Sequence, residues 1–168
     1  MGDVPLGQGY PAQDCAIARA LELVGDRWTL LVLRDCFFGV HRFADLVARL
    51  DIPRAVLADR LDRLVTAGLL RPDGRSYRVS EAAWPLWPAL RSLAAFGEAD
   101  QVATGGSVRR FSHVTCGTDT TPDGHCPACG TVPPPPDLVV RATAGPGRRE
   151  DPVSVALRSP HRLLTPLP

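Results

Sequence analysis

Residues 42–79 read RFADLVARLDIPRAVLADRLDRLVTAGLLRPDGRSYRV, and their pattern predicts most of the architecture. Apolar side chains recur at helical spacing in RFADLVARL, and Pro53 ends that helix and can begin the next one. The second helix carries its own apolar stripe, formed by Leu57, Leu61 and Leu64. The stretch therefore predicts two short helices that are joined by a tight turn and cross steeply.

A short hairpin is predicted directly after the second helix. Gly68 is placed to end the helix, residues 69–71 and 76–79 form the strands, and Asp73-Gly74 forms the turn. A hairpin of this size is not stable alone, so it must pack on the helix pair. The order helix, turn, helix and hairpin predicts a winged helix-turn-helix, which binds DNA through a recognition helix and a wing.

The charge of the chain is nearly balanced but unevenly distributed. The formal net charge of the 168 residues is +1, which argues against a protein that holds DNA by bulk electrostatics. All basic residues are arginines, whose guanidinium forks bind phosphates and guanine edges, although a GC-rich genome would equally favour arginine. The arginines that crowd the winged unit and its approach are Arg34, Arg42, Arg49, Arg54, Arg60, Arg63, Arg71, Arg75 and Arg78.

The recognition helix presents one face away from its apolar stripe. At about 100° per residue this face centres on Ala55, Asp59, Asp62 and Arg63. The first turns of such a helix normally enter the major groove, so Arg54 and Ala55 are the candidates for base contact. We expect Asp59 to orient Arg63 as an i,i+4 pair, while Arg42 and the wing arginines contact phosphates or the minor groove. The candidate DNA-binding residues are Arg42, Arg54, Ala55, Arg60, Arg63, Arg75 and Arg78.

The five cysteines indicate metal or redox chemistry, because a cytosolic chain does not keep a disulfide framework. His113 and Cys116 are separated by two residues, as are Cys126 and Cys129. A glycine follows each pair and permits the turn that aims backbone amides at the sulfurs. The pattern predicts a Cys3His set for a structural Zn²⁺ ion, with no open position for catalysis. The neighbouring His125 is an alternative ligand to His113.

Changes in composition divide the chain into four parts. Residues 1–13 are expected to be a flexible leader, and residues 14–103 hold the winged helix-turn-helix with dimerisation helices. The Cys3His module spans 104–144 after a hinge at Thr104-Gly105-Gly106-Ser107, and residues 145–168 form a C-terminal tail. The predicted fold class is mainly α with a small β-hairpin wing, plus a small zinc-ribbon-like module.

Two helices are predicted before the winged unit and one after it. Asp14 can cap the first, and Gly25-Asp26 can end it and cap a largely buried helix at 27–38. The stretch 80–102 is rich in aromatic residues, more than a wing needs for cover, which favours a partner helix from a second subunit. No export signal or membrane-spanning apolar run is present, so we expect a cytoplasmic, nucleoid-associated protein without a membrane partner.

The positions of several other side chains can also be predicted, and one group of them has two interpretations. The aromatic residues Trp28, Trp84, Trp87 and Phe96 either pack in the core or line a pocket for a small-molecule effector. Cys36 falls within the buried helix and is expected in the core. His41 and His161 are expected at the surface.

Residues 15–100 resemble the HxlR-type family of bacterial winged-helix regulators. The resemblance implies a homodimer that binds a two-fold symmetric DNA operator and catalyses nothing. Cys15, at the start of the first helix, corresponds to the redox-sensing cysteine of some members, or it is a packed residue at the dimer interface. Longer members carry a tail similar to the Cys3His module. The motifs that carry the resemblance are Cys15, GDRWT at 25–29, Gly39, RFADL at 42–46, LADRLDRL at 57–64, GLL at 68–70, YRVS at 77–80 and LWPAL at 86–90.

The sequence thus favours a dimeric, sequence-specific transcriptional regulator, most simply a repressor, with a structural zinc site and with effector or redox control. A second hypothesis is a winged-helix module that binds proteins and never touches DNA, which the near-neutral charge favours. A third is a zinc-dependent enzyme. It is disfavoured because four ligands fill the site and no Glu-His base motif accompanies them.

Overall fold

The computed structural model describes residues 10, 13–103, 108–143 and 149–167. The predicted leader at 1–13 lies outside the described residues except for Tyr10 and Gln13, and the predicted hinge at 104–107 lies outside them entirely.

Two helices precede the winged unit, as predicted. Helix α1 spans Ala16–Val24 and helix α2 spans Thr29–Phe37. The expected cap of α1 by Asp14 is wrong, because the N-cap residue is Cys15 and its side chain makes no capping bond. Asp26 accepts hydrogen bonds from the backbone amides of Trp28 (2.9 Å) and Thr29 (3.1 Å), so the carboxylate predicted to begin the second helix does so.

The winged helix-turn-helix occupies the predicted stretch. Helix α3 spans Phe43–Leu50, helix α4 spans Arg54–Thr66, and strands β1 (Leu70–Asp73) and β2 (Ser76–Val79) pair antiparallel. Asp51 turns the chain between the helices with a left-handed backbone (φ 55°). The amide of Tyr77 donates to the His41 carbonyl (2.8 Å), which ties the wing to the chain just before α3.

Helix α5 (Leu86–Ala103) follows the wing after a short 3-10 turn, Glu81–Ala83. The irregular start agrees with the two prolines near residue 86, since neither can donate a backbone hydrogen bond. Trp87 is buried, and its ring centroid lies 5.2 Å from that of Phe37 and 5.1 Å from that of Phe111. This aromatic contact joins α2, α5 and the C-terminal part of the chain in one core.

A second sheet completes the fold. Strands β3 (Arg109–His113), β4 (Leu138–Ala142) and β5 (His161–Arg162) pair antiparallel in that order, and helix α6 spans Pro152–Ala156. Residues 149–167, which composition assigns to a tail, therefore supply one strand of the sheet that carries the Cys3His residues. Burial explains this difference, because Leu157 and Leu163 are in the core and the Leu164 amide donates to the Phe37 carbonyl (2.8 Å).

Both histidines expected at the surface contact backbone carbonyls within the fold instead. His41 is buried with Nε2 3.2 Å from the Cys36 carbonyl oxygen, and half-buried His161 has Nε2 3.0 Å from the Phe38 carbonyl oxygen. The surface prediction is wrong because the ring nitrogens of both histidines lie against backbone carbonyls at the end of α2. Burial lowers the pKa of His41.

The backbone at Gly39 approaches the C-terminal segment closely. Its φ is +88°, and an added Cβ would lie 2.0 Å from the Thr165 carbonyl oxygen. We expect Gly39→Ala to lower the free energy of unfolding by about 3 kcal/mol, from left-handed strain and overpacking together. Denaturant titration measures this. Gly68→Ala is the matched control, because its φ is +71° with nothing within 4 Å of the added Cβ, and we expect a loss of about 1 kcal/mol. Equal losses in both variants would exclude the close approach as a cause.

Candidate nucleic-acid interface and metal centre

The recognition helix is oriented as its periodicity predicts. Its apolar stripe is fully buried against α2, and the opposite face is exposed. The buried residues are Leu57, Leu61 and Leu64, and the exposed ones include Arg54, Ala55, Asp59, Asp62 and Arg63.

The first turn of α4 is exposed and carries no acidic side chain. The guanidinium carbon of Arg54 lies 5.0 Å from the ring centroid of Phe43, a contact that holds the cation at the surface. Beside it, Ala55 leaves the backbone accessible. The first amides of a helix lack helical acceptors, so this end of α4 suits a phosphate or a base edge.

Farther along α4, the arginines face protein groups. Arg60 Nε lies 2.8 Å from Asp26 Oδ1, and Arg63 donates to the Glu22 carbonyl oxygen at the end of α1 (3.2 Å). The expected pair between Asp59 and Arg63 is wrong, since the Asp59 carboxylate contacts Arg60 instead. Tertiary partners on α1 and the α1–α2 turn thus compete successfully with the i,i+4 pairing within the helix.

Asp26 combines two structural functions at this junction. Burial acts to raise the pKa of its carboxyl group, but hydrogen bonds from Thr29, Trp28 and Arg60 outweigh burial and lower that pKa below its usual value. The carboxylate therefore stays charged while it begins α2 and holds Arg60 of the recognition helix.

The wing and the start of α3 contribute further arginines. Arg75 is exposed at the turn of the hairpin, and Arg42 is exposed at the N-cap of α3. Within the described ranges neither has an acidic partner. Arg78 instead pairs with Asp73 across the hairpin, and its hydrogen bond lowers the pKa of that carboxyl group. The structure thus separates arginines with exposed, uncompensated charge from arginines used within the fold.

The four predicted metal ligands converge. The side-chain donor atoms of His113, Cys116, Cys126 and Cys129 all lie within 4.8 Å of one another. Cys116 Sγ is 3.6 Å from His113 Nδ1 and 3.5 Å from Cys126 Sγ. His125 is not in this group, so of the two histidines only His113 lies with the three cysteines.

Each ligand pair lies on a tight turn that glycine closes. The Gly117 amide donates to the His113 carbonyl (2.8 Å), and the Gly130 amide donates to the Cys126 carbonyl (2.9 Å). Both glycines have positive φ, 71° and 67°, which a side chain would strain. The spacing and the trailing glycine therefore predict the local geometry that brings each pair of donors together.

The thiols of the cluster differ in acidity. Hydrogen bonds from Thr118 lower the pKa of Cys116 to about 6, whereas the hydrogen bond with Cys116 raises the pKa of Cys129 to about 11. A metal ion bound by these cysteines would displace the protons that their thiols carry. Three thiolates and one imidazole are a donor set that suits closed, four-coordinate metal sites.

The two remaining cysteines lie apart from the cluster. Cys36 is buried in the core, as expected, and burial raises the pKa of its thiol far above its usual value. Cys15 is exposed at the start of α1.

The aromatic set proposed as a pocket lining is not gathered in one place. Trp87 is in the core, whereas Phe96 is 90% exposed on α5. The sequence analysis expected a partner helix over the aromatic-rich stretch 80–102, but it did not identify the exposed apolar set on two helices, although the helical spacing of its members is visible in the sequence. It comprises Ile17 and Leu21 on α1 and Leu93 and Phe96 on α5.

Comparison with known proteins agrees with this architecture. A family profile described as HxlR-like helix-turn-helix matches residues 23–103. A curated relative from Mycobacterium tuberculosis is 41% identical over 122 residues, which cover 68% of this chain and 77% of the relative, and it is named an uncharacterised HTH-type transcriptional regulator. The chain belongs to the HxlR-like helix-turn-helix family. Members of this family are transcriptional regulators, and this HxlR-like protein is a regulator and not an enzyme.

Further similar proteins include another curated relative and two solved structures. A Mycobacterium bovis protein with an equivalent name shares 41% identity over 122 residues. A crystal structure described as a candidate transcription factor is 32% identical and covers 51% of this chain and 65% of its own, with a TM-score of 0.48. A second, from Pseudomonas aeruginosa, is 37% identical over 50% of this chain and 61% of its own, with a TM-score of 0.39. Among the described residues of this HxlR-like protein, no helix is long and apolar enough to cross a membrane.

Proposed function

We propose that this HxlR-like regulator acts as a homodimer on a two-fold symmetric DNA operator, with a structural Zn²⁺ ion in each chain. The observation that carries the proposal is the first turn of α4, which has no acidic side chain and exposes Arg54 and Ala55. Arg42 and Arg75 are exposed too, and neither has an acidic partner among the described residues. In this arrangement Arg54 and Ala55 meet base edges, while Arg42 and Arg75 hold phosphates. Arg60, Arg63 and Arg78 position the recognition helix and the wing through their protein partners.

The homodimer is supported by the exposed apolar surface on α1 and α5. Ile17 is 70% exposed and Phe96 is 90% exposed, which is costly for large apolar side chains that have no partner. Leu21 follows Ile17 by one helical turn, and Leu93 precedes Phe96 by three residues, so each helix presents a continuous edge. A second copy offers the same edges in return, as a two-fold interface requires.

Dimerisation also compensates for the low net charge. Two recognition helices in successive major grooves, about 34 Å apart, double the number of localised arginine contacts. Repression is the simplest outcome, because occupation of promoter DNA alone can exclude the polymerase. The protein would act in the cytoplasm at the nucleoid. Effector binding, or oxidation of exposed Cys15, would reach the recognition helix through α1, whose Glu22 carbonyl receives Arg63.

We expect Phe96→Glu to weaken dimerisation by about 100-fold, because a charge then replaces a large apolar anchor twice in each interface. Sedimentation velocity over a concentration series measures the dimer dissociation constant. Val155→Glu is the matched control, since Val155 is an exposed apolar residue on α6, away from the proposed interface. A Phe96→Glu protein that sediments as the wild-type dimer would exclude this surface.

Zinc is supported by the donor set and by what surrounds it. The loop that separates Cys116 from Cys126 is polar and rich in Gly and Pro, so it cannot build a core of its own. An ion held by four protein donors would fix this loop on β3, and the closed set favours a structural role.

The DNA proposal is tested by recovery of bound fragments from the genome that encodes the protein, followed by footprinting. We expect protection of two half-sites about one helical turn apart, and affinity that falls steeply with salt. Failure to enrich any fragment at low salt, with the dimer intact, would favour the alternative of a protein-interaction module.

A further inference from the structure

Helix α5 has two opposite faces with different partners. At 100° per residue, Trp87, Arg91 and Glu98 lie within about 40° of one another, and Phe96 lies about 180° from Trp87. The first face is turned toward the Cys3His module, whereas the second carries the exposed Leu93 and Phe96. The helix therefore lies between the metal centre and the proposed dimer interface.

The face of α5 that carries Trp87, Arg91 and Glu98 packs against strand β3 just before His113, the first proposed metal ligand. The Arg91 guanidinium carbon lies 4.0 Å from the ring centroid of Phe111, which precedes His113 by two residues. Arg110 donates to Glu98 on α5 (2.9 Å). With the contact between Trp87 and Phe111, these interactions fix three positions of the helix on the module.

Arg91 also reaches the loop that connects the ligands. It is only 4% exposed, and its terminal nitrogen donates to the Thr121 carbonyl oxygen at 3.4 Å. Its Nε has no hydrogen-bond partner among the described residues. Thr121 lies between Cys116 and Cys126, where the Gly124 amide also donates to its carbonyl (2.8 Å). A buried cation on α5 thus depends on the position of the metal-binding loop.

We propose that the metal ion is itself an effector of this regulator, and that Arg91 is the positioning residue that couples the metal centre to the dimer face of α5. This inference rests on the proposed zinc site and homodimer. When the ion leaves, the loop loses the point at which its ligands converge, and the Thr121 carbonyl moves away. A buried guanidinium that loses its acceptor is destabilising, so α5 shifts to return Arg91 to water and displaces Leu93 and Phe96.

The test compares the full-length wild type with Arg91→Met and with the control Arg141→Gln, before and after metal removal by a chelator. Arg141 pairs with Asp119 inside the module and is half-exposed. Metal content, helical circular dichroism and the dimer dissociation constant are measured for each protein. We expect metal removal to weaken the wild-type and Arg141→Gln dimers about tenfold while the helices persist. Arg91→Met should bind metal but change less than about twofold, since it has no buried charge to release.

Hydrogen exchange of the wild type gives a second measurement that does not depend on how Arg91→Met folds. We expect faster exchange over 90–98 after metal removal, with unchanged exchange in α4. The inference is overturned if metal removal leaves the wild-type dimer and the exchange of α5 unchanged, if Arg91→Met keeps the tenfold response, or if the metal-free wild type loses its helices altogether. Untreated protein that lacks metal or is monomeric would contradict the proposed function instead.

Discussion

Cys126→Ser is expected to remove the metal from the protein altogether. Cys126 is the buried thiol of the cluster. A serine hydroxyl does not ionise at neutral pH, and it binds a zinc ion much more weakly than a thiolate does. We expect the metal content to fall from about one ion per chain to near zero, and the 114–132 region to lose protection from hydrogen exchange. Elemental analysis and exchange measured by mass spectrometry give the two results.

The control for this prediction is Cys15→Ser, which also removes a thiol but lies outside the cluster. It should retain about one ion per chain. Stoichiometric metal in Cys126→Ser would exclude Cys126 as an essential ligand.

Acidification should release metal from the wild type, because protons compete for the ligands and the Cys129 thiol, with its pKa raised to about 11, must ionise to bind. Retention therefore improves as the pH rises.

Arg54→Ala is expected to lower operator affinity by about 100-fold. A base contact is worth about 1–3 kcal/mol of discrimination, and a dimer loses two copies. Loss of sequence preference should accompany the loss of affinity, since a base contact and not only a phosphate contact is removed. Arg75→Ala, on the wing, should weaken all sequences alike and reduce the salt dependence by about one unit per contact. Fluorescence anisotropy with operator and scrambled duplexes at several salt concentrations measures both effects.

Two further variants make this prediction specific. Arg162→Ala removes an exposed arginine from β5, in the other sheet, and should leave operator affinity unchanged. Arg60→Ala should mainly lower the melting temperature, because Arg60 holds Asp26 at the α1–α2 turn. If Arg60→Ala and Arg54→Ala reduced sequence preference equally in folded protein, the division between contacting and positioning arginines would be wrong.

The parts of the fold that follow from local rules were predictable. The stripe of Leu57, Leu61 and Leu64 specifies the buried face of α4, and the turn formers Asp73-Gly74 specify the hairpin. The same holds for the Cys3His cluster, since the short spacing within each pair and a trailing glycine constrain the chain whatever its surroundings. In each case the signal and the structure that it predicts lie within a few residues of one another.

The errors arise where distant residues compete with local ones. Asp59 has a suitable partner four residues away, yet Arg63 bonds to the Glu22 carbonyl of α1. His161 becomes structural because the Phe38 carbonyl, 123 positions earlier in the chain, is near it only in the folded protein. Strand β5 contains two residues, too few for any periodicity to show. Sequence patterns carry no information about such partners.

The bond between His161 and the Phe38 carbonyl joins residues 123 positions apart. Contacts of such long sequence separation form late in folding, because a large loop must close before they contribute. The last strand of the chain therefore ties the sheet that carries the Cys3His residues to the helices that support the winged unit. Unfolding should accordingly be one cooperative event. The helix-turn-helix should not remain folded when the C-terminal sheet unfolds.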